Sequence, residues 1–120
     1  MENKFEKLTS WQKAHELVIL VYKITKKFPV EEKYSLIDQL RRATVSVAAN
    51  IAEGNLHQSK KELIKFLFIS KASLEEVKYY LLLSKDLGYL SNDLYVKSES
   101  LSNECGRLIS GFIRYLKSNS

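Results

Sequence analysis

Gln39 to Gly54, reading QLRRATVSVAANIAEG, is the stretch from which the architecture follows. Leu36, Leu40, Ala43, Val47 and Ile51 recur at spacings of three and four, which lines one face of a helix with apolar side chains. Ala43, Ser46, Ala48, Ala49 and Ala52 are small enough to let another backbone come close. Beside the stripe, Gln39, Arg42, Ser46, Asn50 and Glu53 form a polar arc. Asn50 sits nearest the seam, where a single amide can fix register or partner geometry in a helical assembly. Glu53 lies in the last turn, where the partial negative charge of the helix end disfavours a carboxylate. Either a cation or N–H from another segment compensates it, or it is a solvated side chain beside a fraying terminus.

The next segment is a longer helix. Leu63, Leu67, Leu74, Val77 and Leu81 make a core-facing stripe, but Phe68, Ala72, Tyr79 and Leu83 fall on the opposite side, with Ile69 and Tyr80 partly filling the arc between. A helix apolar nearly all round calls for burial on more than one side, which a lone bundle of this size does not provide. Self-association through Gln39, Arg42, Ser46, Asn50, Glu53, Phe68, Ala72, Tyr79 and Leu83 is the expected remedy for such a patch. The competing reading leaves the tyrosine hydroxyls in water and the hydrophobes scattered.

Capping signals delimit the elements. Thr9 with Gln12 and Ser59 with Glu62 have the form of capping boxes, Ser35 and Ser91 stand at two further starts, Pro29 stops the first helix and Gly88 suits a left-handed cap. The first helix carries Trp11, Ala14, Val18, Val21, Tyr22 and Phe28 on its apolar side; the fourth carries Leu94, Leu101, Cys105, Leu108, Phe112 and Leu116, with a tail from Lys117 expected to fray. Helices are therefore expected at about 10–27, 35–53, 60–86 and 91–117 of one domain. With no strand signal and short connections, the fold class is all-α, an antiparallel up-down four-helix bundle.

Composition agrees. The 120 residues are 45% hydrophobic and 28% charged, with four Gly and one Pro, which suits long helices better than many turns. Lys and Arg number 19 against 14 acids, a formal charge of +5 that favours acidic partners and equally serves solubility. The start MENKFEKL lacks a signal-peptide core, the single Cys105 has no internal disulfide partner, and no apolar run approaches the ~20 residues of a membrane helix, so a cytoplasmic protein without a membrane span is expected.

Catalytic chemistry is not legible. One Cys and two isolated His residues, His15 and His57, give no metal-ligand spacing; Cys105 falls on an apolar seam, where a thiol is a small hydrophobe. No phosphate loop, nucleophile elbow or paired-carboxylate motif occurs, so neither catalytic residues, metal nor cofactor is expected. Basic residues say more. Lys23, Lys26 and Lys27 close the first helix, Lys60 and Lys61 open the third, and Arg107, Arg114 and Lys117 share an outer face of the fourth. These are the candidate nucleic-acid contacts, for RNA or DNA, by a salt-dependent phosphate mechanism. Lys71, Lys78 and Lys85 repeat every seven residues but flank the core stripe, where their stems can simply cover it, and Glu75 and Glu76 halve their field.

Trp11, Ala14, Leu17 and Tyr22 ahead of Phe28-Pro29, then Glu32, Tyr34, Leu36, Gln39, Arg42-Ala43, Ser46 and Asn50 to Gly54, and later Ser73-x-Glu75 and Leu87-Gly88-Tyr89, make up a pattern. It resembles the four-helix-bundle family of 23S ribosomal RNA intervening-sequence proteins, from about Trp11 to Leu116, with QLRRA and AANIAEG its most specific strings. That family is similar in turn to the accessory proteins of diversity-generating retroelements, pentameric barrels of four-helix bundles that bind nucleic acid and a reverse transcriptase. The resemblance implies a cytoplasmic bacterial protein forming a homo-oligomeric ring, by analogy a pentamer, and it names no active-site residue. Two functions are therefore carried forward: a non-enzymatic RNA-associated assembly protein, and a scaffold docking a partner protein on the surface of its second and third helices. An enzyme using Cys105 or His57 lacks any orienting partner.

Overall fold

The computed structural model describes residues 3–119. Four helices make up the bundle: α1 (Thr9–Thr25), α2 (Leu36–Gly54), α3 (Lys60–Asp86) and α4 (Asn92–Ser118), with 3-10 turns at Lys4–Lys7 and Val30–Glu32. Short connections make successive helices antiparallel, and α1 packs on α2, α2 on α3, α3 on α4, and α4 back on α1. The result is an up-down four-helix bundle measuring 46 × 26 × 22 Å.

The core confirms the apolar stripes of α2 and α3 residue by residue: Leu36, Leu40, Ala43, Val47 and Ile51 meet Leu63, Leu67, Leu74, Val77 and Leu81, all buried. On α4 the stripe is rotated from the expected one. Ser98, Ser102, Cys105, Ile109, Ile113 and Leu116 are buried, whereas Leu94, Leu101 and Phe112 lie partly buried at the edge. The displacement has a physical cause, because two core positions are serines and contribute nothing to an apolar periodicity. Ser102 Oγ donates to the Ser98 carbonyl at 2.8 Å, and Ser98 Oγ to that of Tyr95 at 3.0 Å, so both hydroxyls are satisfied within their own helix and take little space. On α1, Ala14, Leu17, Val21 and Ile24 form the buried row; Tyr22 turns outward under the Arg41 guanidinium, 4.5 Å from its ring.

Helix starts differ instructively from the capping signals. Ser59 and Ser91 accept the N–H groups of Glu62 and Leu94 as expected, at 3.3 and 3.2 Å. Thr9 does not cap: α1 already includes it, Leu8 occupies the cap position, and Gln12 Nε2 instead donates to the Glu6 carbonyl at 2.8 Å. Ser35 donates its hydroxyl to Glu32 Oε1 at 2.6 Å rather than capping α2. At the other ends, α1 stops at Thr25, while α4 remains helical through Lys117 and Ser118, so the expected fraying is absent there; Ser120 lies outside the described residues. Gly88 has φ 81°, and the Tyr89 N–H reaches back to the Ser84 carbonyl at 2.9 Å, a Schellman closure that requires the left-handed region.

The α2–α3 seam is the most extensive contact. Gly54 makes it so: a Cβ there would lie 2.7 Å from Phe66 Cβ and 3.1 Å from Leu63 Cδ1. Higher up, Ser70 Oγ crosses to the Val47 carbonyl at 2.7 Å, and Ser46 and Ser73 share a hydrogen bond of 2.8 Å. The small residues of α2 thus meet hydroxyls of α3, and polar side chains take the place of bulk along this seam.

Candidate nucleic-acid interface

The sequence-marked cations do not form one surface on the subunit. Lys23 belongs to the last turn of α1, and Lys26 and Lys27 follow it, all exposed, at one end of the bundle. Lys60 and Lys61 open α3 at the other end, roughly 30 Å away by the rise of the 19-residue α2 that joins the two ends. There Lys60 Nζ donates to the Asn119 carbonyl, and Lys117 Nζ lies 5.3 Å from the centre of the Phe68 ring. Arg107 and Arg114 stand apart from both groups along the outer side of α4.

What does converge is a groove between α3 and α4 of about 450 Å³, lined by Lys71, Lys78, Arg107 and Arg114 together with Asn103 and Ser110. Gly106 forms its floor: a Cβ there would touch Leu74 Cδ2 at 3.4 Å and stand 4.0 Å from Lys78 Nζ. Glu75 is the one carboxylate among the lining residues, and it pairs with Lys78 at 3.4 Å. Lys71 and Lys78 are half-buried, so their stems do cover the core edge while their ammonium groups enter the groove. Sequence reasoning separated these lysines from Arg107 and Arg114; the signal that joins them is a seven-residue repeat on each of two helices that meet in register.

The α2 flank is mostly committed within the subunit. Gln39 Oε1 accepts the Tyr80 hydroxyl at 2.8 Å, Arg42 pairs with Asp38 at 3.0 Å, and Asn50 Nδ2 donates to the Ser46 carbonyl and hydroxyl at 2.8 and 3.0 Å. Glu53 is exposed and has neither hydrogen bond nor ion pair among the described residues, so it stands there as a solvated side chain at the end of α2. On α3, Phe68 is 46% and Tyr79 58% exposed, Ala72 is exposed as well, and Leu83 rests half-buried against the core. The outer face of α3 is therefore open in the subunit.

Titratable groups offer no activated nucleophile. Burial pushes the Cys105 thiol up to about 12, with Glu104 and Glu16 adding to the shift. His57 stacks on Phe66 at 5.1 Å, and His15, although exposed rather than packed at the core edge, stacks on Trp11 at 4.8 Å. No cluster of metal-ligating side chains occurs among the described residues. Hydrogen bonds from Ser35 and then from Tyr89 hold Glu32 below its ordinary value of 4.5.

By class the fold is an all-α, up-down four-helix bundle. No helix among the described residues is long and apolar enough to cross a membrane. The chain belongs to the 23S rRNA-intervening sequence protein family, whose model matches residues 6–111. It is similar to a crystal structure from Bacteroides thetaiotaomicron, a protein with unknown function from the S23 ribosomal protein family. The two share 25% identity and a TM-score of 0.81 over 88% of this chain and 95% of that one. No match is found among curated proteins.

Proposed function

We propose that this protein is a non-enzymatic homo-oligomer that associates with RNA through basic surfaces. The observation that carries the reading is the α3–α4 groove, where four cations face a single carboxylate on a chain of formal charge +5. Phosphate backbones are the polyanions such a surface attracts, and the family's name points to ribosomal RNA genes as the setting. The open face of Phe68, Ala72 and Tyr79 supports self-association, and a five-membered ring is what likeness to the retroelement accessory proteins implies. A reducing cytoplasm suits the buried, unpaired Cys105.

Filter binding of structured RNA across a salt series tests the first part. Affinity no better than that of a neutral protein, or indifferent to salt, removes it. Light scattering tests the second, since a monomer at micromolar concentration contradicts the assembly. A second reading, docking of a partner protein on α2 and α3, is favoured by the notch of about 230 Å³ between Leu36, Tyr80, Leu83 and Leu87. Tyr34, 86% exposed, lines the adjoining groove with Gln39 and Arg42. A pull-down that returns RNA and no stoichiometric protein counts against it.

A further inference from the structure

The α3–α4 groove contains the same set of groups twice. Lys71 and Lys78 are seven residues apart on α3; on α4 so are Arg107 and Arg114, and so are Asn103 and Ser110. The antiparallel run of the helices fixes the levels. Lys85 Nζ lies over the Tyr95 ring at 4.7 Å, Lys117 Nζ over Phe68 at 5.3 Å, and Lys78 Nζ beside Gly106. Lys78 therefore shares a level with Asn103 and Arg107, and Lys71 shares the next with Ser110 and Arg114. Each station offers an ammonium, a guanidinium and a short polar side chain. Asn103 and Ser110 make no hydrogen bond within the described residues, so both remain available to a ligand.

Seven residues of helix separate the stations by about 10 Å. Along one strand of a double helix, phosphates advance about 3.4 Å per step along the axis and wind around it as they go, so fewer than three steps already span this distance through space. A duplex keeps that repeat because it is stiff over tens of base pairs, whereas a flexible single strand has no fixed repeat to match. Single-strand binders also add aromatic platforms for bases, and the groove lining contains no aromatic residue.

We propose that the α3–α4 groove binds the phosphodiester backbone of a nucleic-acid double helix. One phosphate sits at Lys78 and Arg107, another on the same strand sits at Lys71 and Arg114, and Asn103 and Ser110 donate hydrogen bonds to the sugar–phosphate edge. This rests on the nucleic-acid reading above and places it in a groove that the terminal lysines do not reach. Glu75, paired with Lys78, holds the affinity down.

The test uses the full chain and fluorescent duplexes of one sequence as RNA and as DNA, with the corresponding single-stranded RNA, titrated across a salt series. Arg107 and Arg114 are exposed, so the double variant Arg107→Gln/Arg114→Gln keeps the fold, checked by circular dichroism. Its salt slope is expected to fall by about 0.9 per lost phosphate contact on duplex DNA, while Lys33→Gln/Lys97→Gln, at exposed lysines outside the groove, keeps the wild-type slope. Glu75→Gln is expected to tighten duplex binding several-fold. The RNA and DNA arms say which duplex is preferred, and either preference supports the proposal. Unchanged binding by the arginine variant, weaker binding by Glu75→Gln, or a preference for the single strand overturns it while leaving salt-dependent binding, and so the broader reading, in place. Absence of salt-dependent binding by the wild type overturns both.

Discussion

Gly54→Ala is the substitution that most directly probes the α2–α3 seam. In a helix, replacing Gly by Ala ordinarily stabilises by roughly 0.5–1 kcal/mol, because alanine has less backbone freedom to lose. Here the added methyl would sit 2.7 Å from Phe66 Cβ, an atom fixed to its own helix, and 3.1 Å from Leu63 Cδ1. Relief requires α3 to move away or Phe66 to leave its place, an overpacking that costs about 1–3 kcal/mol. At its terminal position in α2 the residue recovers only part of the propensity gain, so the net loss is about 1–2 kcal/mol. For a domain of this size that lowers Tm by roughly 4–8 °C. The control is Gly111→Ala in the interior of α4, where the new Cβ meets nothing nearer than an Arg114 guanidinium nitrogen at 3.7 Å. That variant gains roughly 0.5–1 kcal/mol, and its Tm rises by a few degrees. Thermal unfolding followed by far-ultraviolet circular dichroism at one protein concentration reads both. The close approach assigned to Gly54 is refuted by a Tm for Gly54→Ala equal to or above the wild type.

Three further outcomes follow from named contacts. Glu32 is depressed below 4.5 in the fold, so the stability it contributes is fully present above 4.5 and lost as pH falls through its folded value. Tyr89→Phe removes one of the two side-chain hydrogen bonds responsible and should flatten that acid limb in pH-dependent denaturant melts; an identical limb contradicts the assignment. Phe68→Asp with Tyr79→Asp should convert the proposed assembly to monomer by light scattering while leaving helix content intact, since both side chains are exposed in the subunit; an unchanged mass contradicts the α3 face as the contact. Cys105, with its thiol near 12, presents only about one thiolate in ten thousand at pH 8 and is buried besides, so a thiol reagent should label it only after unfolding. Rapid labelling of the folded protein would overturn that.

Helices and core stripes of α2 and α3 were legible because leucine, valine and isoleucine hold enough of the inward positions to carry the period past Ala43, Thr44, Ser70 and Ser84. The α4 stripe was misread by a partial turn, since Ser98 and Ser102 face inward and hide the period from any hydrophobicity pattern. The same limit affected caps. Thr9 and Ser35 have the right chemistry, but Gln12 finds the Glu6 carbonyl and Ser35 finds Glu32, partners fixed by how the preceding turns fold back. Gly54 reads in sequence as a helix terminator, whereas its structural use is the room it leaves for Phe66. The groove was hidden for a further reason. Each heptad repeat of basic residues is visible by itself, but their common level depends on how α3 and α4 slide past each other, and Lys78 and Arg107 are 29 residues apart in the chain, beyond the reach of local patterning.

The Glu32 carboxylate receives hydrogen bonds from Ser35 and from Tyr89, so it ties the crossing between α1 and α2 to the crossing between α3 and α4. At the opposite pole a single crossing, 55–59, joins α2 to α3, with Leu56 79% exposed. A buried-edge carboxylate thus joins two crossings at one pole, whereas at the other only Lys60, just past the crossing, reaches the end of α4 from the surface. Limited proteolysis is expected to begin at 55–59.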